Sequence, residues 1–204
     1  MLHPRLARYQ RSLPSGWLSH PQCECKASLY REAVANLPKP IDPSGLDSLL
    51  ADYLKDPVPA SVMIPEVINT AIYLAIADTV FRNDEAFLDW ISAFSKRTFE
   101  SPMYRVLMSM ASPERLAKGG VRRWNNFHTG VEYEISVDDL GTQSRMTYPT
   151  NLFDRLAFRG HLRAIEAAYR ASGAPNAAAE LVNMTSTDVS FRVVWFPERA
   201  PRAT

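Results

Sequence analysis

Two stretches of the chain carry side chains able to do chemistry. The first is His20-Pro-Gln-Cys23-Glu-Cys25, which brings one imidazole and two thiols into a short run. These are soft ligands of the kind zinc accepts. Zinc sites, however, usually space their cysteines in wider pairs, and no second pair follows. The plainer reading is two reduced cysteines in an N-terminal arm. The sharper one is a metal site of His20, Cys23 and Cys25 completed by another subunit. A disulfide between such near neighbours would be badly strained. The second stretch, Arg122-Arg123-Trp124-Asn125-Asn126-Phe127-His128, mixes cations, amides and aromatics. That mixture suits an anionic or nucleic-acid contact. It equally suits a loop entering a sheet with Trp124 and Phe127 in the core. Just beyond it, His128 and Tyr133 are the candidates for acid and base work, with Glu132 and Glu134 beside them. Strand alternation turns Tyr133 away from both glutamates, which then form a solvated face.

Charge decides between some of these readings. Lys plus Arg number 23 and Asp plus Glu 22, so no general field steers nucleic acid, and the loop-into-core reading of residues 122–128 is preferred. No Gly-x-Ser-x-Gly, P-loop, dinucleotide glycine fingerprint or His-Glu-x-x-His motif is present. The most apolar stretch, residues 62–81, contains Glu66, Asn69 and Asp78, which argues for a buried helix over a membrane span. With no signal peptide in MLHPRLARYQ, a cytoplasmic protein is expected.

The elements that must position these residues follow from periodicity. Residues 1–26 read as an extended arm. Helices are expected over 27–37, 43–53 (capped by Asp42 or Ser44), and from a Ser61 cap through 81, where Ile68, Ile72, Ile76 and Val80 recur at four-residue spacing. Asn83 caps the next, with Phe87, Trp90, Ile91 and Phe94 as its inward stripe. Two short helices begin at Ser101-Pro102 and Ser112-Pro113, the latter ended by Gly119-Gly120. Then the period changes to two. Val131, Tyr133, Ile135 and Val137 alternate with polar residues, Asp138 to Gly141 turn, and 142–148 return. A long helix from an Asn151 cap to about Ala171 stops at Ser172-Gly173-Ala174-Pro175. A second hairpin follows over 179–195. The fold class is α+β: a helical N-terminal half packed on an antiparallel four-stranded sheet, with a ββαββ C-terminal half. The expected organisation is an arm over 1–26, one domain over 27–197 and a frayed tail over 198–204.

The run Pro102 to Leu116, then Trp124-Asn125-Asn126-Phe127-His128-Thr129-Gly130, Asn151-Leu152-Phe153, Gly160-His161-Leu162, Gly173-Ala174 and the closing Phe191-Arg192-Val193-Val194-Trp195 resembles an uncharacterised myxobacterial paralogous family of similar chain length. That family has no chemistry to carry over. The order of elements is also similar to 4-vinyl-reductase-type, haem-NO-binding and TRAPP-like domains. This wider resemblance implies helices packed on a small antiparallel sheet, in several cases around a hydrophobic ligand. The haem-NO-binding pattern is incomplete here. Its Tyr-x-Ser-x-Arg motif is missing, and His3, His20, His128 and His161 do not lie on the long N-terminal helices.

Three functions fit these observations. The first is a non-catalytic binding or regulatory protein, without a cofactor. It would hold a small apolar ligand or a protein partner between helices and sheet, bordered by Tyr104, Trp124, Phe127 and Tyr133, as a homodimer. The second is an enzyme of specialised metabolism, of cyclase or isomerase type, using His128 or Tyr133 as a proton donor. The third is an interaction subunit of a larger assembly.

Overall fold

The computed structural model describes residues 3–195, and within them every side chain except those of Met103, Leu107 and Ser109. The expected tail over 198–204 lies outside the described residues. The first element, α1 (Pro4–Ser12), is a helix where an extended arm is expected. Pro4 suits its first turn, and Leu6, Tyr9 and Leu13 are buried. Its free N-terminal amides find a partner far along the chain: Asp78 Oδ2 accepts from Arg5 N at 2.9 Å and from Leu6 N at 3.1 Å. Asp78 Oδ1 also holds the Arg5 guanidinium at 2.8 Å. No local signal could announce a helix completed by so distant a carboxylate.

A 3-10 turn (Gly16–Leu18) buries Trp17 and leads to the short strand β1 (Glu24–Lys26). Helix α2 (Ser28–Ala35) follows. The expected helix over 43–53 is instead two pieces, because Gly45 ends a 3-10 turn (Pro43–Gly45) capped by Asp42, and α3 (Ser48–Lys55) starts afresh on an Asp47 cap. Ser61 does not cap the next helix either. Residues Met63–Pro65 form β2, antiparallel to β1 with Cys25 opposite Ile64, and α4 (Glu66–Val80) begins only after Pro65. Helix α4 is the hub. It is buried almost all round, as its apolar spacing requires.

Helix α5 (Asp84–Glu100) takes its Asn83 cap and inward stripe as expected. Helices α6 (Pro102–Ser109) and α7 (Pro113–Lys118) follow. Gly119-Gly120 does not end the helical region. The chain turns there into one more helix, α8 (Gly120–Asn125). Strands β3 (Glu132–Val137) and β4 (Gly141–Thr147), helix α9 (Arg155–Ala171), and strands β5 (Ala178–Met184) and β6 (Asp188–Val194) complete the ββαββ order. Helix α9 is capped by Asp154, whose side chain accepts from Leu156 N, rather than by Asn151, which adopts a left-handed φ of 61°.

The four strands form one antiparallel sheet in the order β3-β4-β6-β5. Its inner rows set Tyr133, Met146 and Val189 side by side, and Ile135, Ser144, Phe191 and Leu181 beside them. The outer face carries the alternate residues, among them Arg145 and the Glu180–Arg192 ion pair. Helix α9 runs along α5, and Gly160 permits the approach: a Cβ there would lie 2.5 Å from Ile91 Cδ1. One apolar cluster joins Ile68, Ile72, Phe87 and Ile91 of the helical half to Met146, Phe158, Val189 and Phe191 of the other half, so the two halves share a core. No described helix is long and apolar enough to cross a membrane.

Gly141 opens β4 against Val193, where an added Cβ would meet the Val193 carbonyl oxygen at 2.0 Å. Backbone on both sides cannot yield as a side chain would. Gly141→Ala is expected to cost about 1–3 kcal/mol by overpacking. Urea denaturation reads this as a lower midpoint, and an unchanged midpoint would contradict the central strand pairing.

Candidate functional site

Helix α4 is apolar through its middle, with Asp78 and Thr79 near its end and a polar group at its start, where Glu66, Asn69 and Thr70 are all fully buried. Glu66 is the first helical residue, and its amide donates to the Cys23 carbonyl at 2.9 Å. The positive end of the helix favours a carboxylate at that position. One carboxylate oxygen accepts from Asn69 Nδ2 at 3.1 Å, and the other faces His128 Nδ1 at 2.7 Å. A carboxylate only accepts, so Nδ1 carries the proton of that bond.

His128 reaches Glu66 because residues 127–129 run antiparallel to β1. Lys26 N donates to the Phe127 carbonyl at 2.8 Å and Thr129 N to the Glu24 carbonyl at 2.9 Å, which puts Cys25 opposite His128. Gly130 closes this junction in a left-handed conformation, φ 73°, against the 22–23 backbone. A Cβ there would lie 2.4 Å from the Gln22 carbonyl oxygen. The result is a cluster in which Cys25 Sγ, a Glu66 oxygen and a His128 nitrogen all lie within 4.8 Å of one another. Cys25 and Glu66 are sealed from solvent, and His128 is only 5% exposed.

Electrostatics follow from that burial. Desolvation alone would push the Glu66 carboxyl up, but the charge and hydrogen bond of His128 outweigh it and hold the group below the usual carboxylate range. Burial, then the neighbouring Glu66 charge, pushes the Cys25 thiol well up, so without another partner it keeps its proton. Burial lowers the third group nearby, His161 on α9, to about 4.

An aromatic shell surrounds the cluster. Trp124, at the end of α8, stacks flat on His128, with ring centres 3.7 Å apart and planes within 7°. Tyr133 meets the edge of Trp124 at 5.8 Å. His161 lies 6.0–6.3 Å from the rings of Tyr73, Trp124, His128, Phe153 and Phe158. The shell reaches the surface, since Tyr73, Trp124, Tyr133 and His161 are each half-buried. Within it, the indole N–H of Trp124 is buried and has no acceptor.

The residues singled out from the sequence therefore divide. Trp124, Tyr133 and His128 come together. Tyr104 packs on Phe99 at 5.9 Å instead, and Phe127 lies exposed beneath Lys26 at 5.2 Å. His20 bonds the Thr150 carbonyl through Nε2, and the Cys23 thiol donates to the Gly130 carbonyl, leaving only Cys25 in the cluster. Glu66 and His161 were not singled out from the sequence. The signal for Glu66 is a carboxylate and an amide at the head of a helix whose middle is apolar.

The chain matches no protein-family model and no curated protein. Its fold is similar to a solved structure, an Fe(II) unliganded H-NOX protein mutant from K. algicida. The TM-score is 0.50, the identity 11%, and the match covers 85% of this chain and 98% of that one. At that identity the likeness is one of fold. A haem does not fit the described residues at the junction of helices and sheet. Both histidines there are hemmed in by rings: buried His128 is stacked on Trp124, and half-buried His161 has five aromatic neighbours. Two concavities lie elsewhere: a shallow one of about 480 Å³ on the outer sheet face, and one of about 310 Å³ between α1 and the start of α9.

Removing one member of the buried pair leaves the other uncompensated. His128→Ala and Glu66→Ala are each expected to cost about 3–5 kcal/mol, and the double variant less than their sum. Chemical denaturation of the four proteins measures the coupling; additive losses would show that the two groups do not depend on each other.

Proposed function

We propose that this chain is a non-catalytic binding and regulatory domain, taking a small, mostly apolar molecule at the aromatic seam formed by Tyr73, Trp124, Tyr133 and His161. The observation that carries this reading is Trp124. Its ring is half-buried and its indole N–H is buried without an acceptor. A buried donor left unpaired is costly. A flat ligand with one acceptor, entering beside the ring, would satisfy it while gaining stacking contacts. The fold likeness to an H-NOX protein is compatible with a ligand-binding role but does not name a ligand.

The same geometry weighs against turnover. The carboxylate beside His128 is what an acid–base enzyme would use. Yet His128 is covered by Trp124, and Tyr133 shares a 3.3 Å hydrogen bond with Ser144 Oγ. A proton donor must reach its substrate. A cytoplasmic setting belongs to this reading, and the two free, buried thiols support it. So does assembly as a homodimer, which the same experiment counts.

Native mass spectrometry of freshly purified protein tests the proposal. The expected result is a small molecule retained by a two-subunit species and lost in Trp124→Ala. Bare protein, with no quenching of tryptophan fluorescence across a panel of planar apolar compounds, would end this reading.

A further inference from the structure

We propose that Cys25, Glu66 and His128 form a binding site for a thiophilic divalent cation, for which zinc is the best match. The ligand set carries the argument. A thiol, a carboxylate and an imidazole arrive from three separate segments, β1, the head of α4 and the loop before β3, and place one donor atom each within 4.8 Å of the others. Sulfur, nitrogen and oxygen together are the donors zinc accepts, whereas magnesium or calcium would demand oxygen alone. Donor atoms on one tetrahedral zinc stand roughly 3.3–3.8 Å apart, given bonds of about 2.0–2.3 Å. The set therefore needs side-chain shifts of up to about 1.5 Å: the 2.7 Å His128–Glu66 contact must open, and any separation near the 4.8 Å limit must close.

A second observation points the same way. Asn69 Oδ1 is fully buried and has no donor, while the same amide's nitrogen is bonded to Glu66. It is a spare oxygen beside the carboxylate, where a cation would supply the missing partner. Three protein ligands leave a fourth position open, and His161, with its ring centre 6.2 Å from that of His128, is the neighbouring nitrogen donor. On binding, the Cys25 thiol releases its proton to solvent and sulfur bonds the metal; His128 loses its Nδ1 proton to solvent and binds through Nδ1 as a neutral imidazole with its one proton on Nε2, and Glu66 exchanges a hydrogen bond for a metal–oxygen bond. The ion would clamp three segments at one point. Cys25, Glu66 and His128 are none of the residues of the apolar-ligand seam, so the three-ligand site stands apart from that reading and meets it only at the fourth position, beside His161.

The test uses the full chain, reduced, stripped with a chelator and reloaded with zinc or cobalt(II). One ion per chain by elemental analysis, a higher melting temperature with zinc, and a thiolate-to-cobalt charge-transfer band are expected. The band should vanish in Cys25→Ser and persist in Cys23→Ser, whose thiol is bonded elsewhere. X-ray absorption of the zinc-loaded wild type reads the shell without any variant: one sulfur with nitrogen and oxygen supports the site. Failure to retain zinc, a sulfur-free shell, or a band unaffected by Cys25→Ser overturns it.

Discussion

The hydrogen-bonded pair of Glu66 and His128 is a buried, directional tie between the two halves of this protein. A carboxylate at the head of an apolar helix is tolerable only if it is paired, because burying a lone charge is far more costly than burying a neutral side chain. Pairing it with His128 forces residues 127–129 to lie along β1. That alignment in turn seats Cys25 in the cluster and Gly130 against the 22–23 backbone. The N-terminal segment, the hub helix and the entrance to the sheet are therefore constrained by one interaction. The apolar contacts around them supply most of the stabilisation, but they are not directional. The pair is.

Around this point the fold is similar to that of an H-NOX protein. Where the layers meet, Trp124, His161, Phe153, Phe158 and Phe191 interlock. A likeness in fold carries shape and chain path, whereas chemistry belongs to the side chains at the site. Here those side chains build a sealed polar cluster under an aromatic cover. Its outer rings remain within reach of solvent.

Much of the fold was legible because its signals are local. The change of period after residue 130 announced β3 and β4, and Ser172-Gly173-Ala174-Pro175 announced the end of α9. The alternation of Val189, Phe191, Val193 and Trp195 announced the inner row of the last strand, all of them buried. What failed depended on distant partners. Helix α1 is completed by Asp78, β2 exists because Cys25 lies opposite Ile64, and α8 starts at the second glycine of a pair that reads as a stop. The site divides along the same line. His128 and Trp124 belong to one stretch that stood out by composition, and they do stack. Their partner Glu66 is 62 residues away, and sequence spacing cannot show that it faces them. The plainer reading of Cys23 and Cys25 is two reduced thiols, and the alternative metal set joins Cys25 to His20 and Cys23, whose polar groups instead bond backbone carbonyls.

The claim that one buried pair locks three segments into a single unit is tested most directly by native-state amide hydrogen exchange. The amides of Lys26, Glu66 and Thr129 make the bonds between those segments. If the account is correct, all three exchange only through global unfolding, with the same opening free energy as the core of α4. Exchange of Lys26 and Thr129 by a separate, cheaper opening, while α4 stays protected, would contradict it.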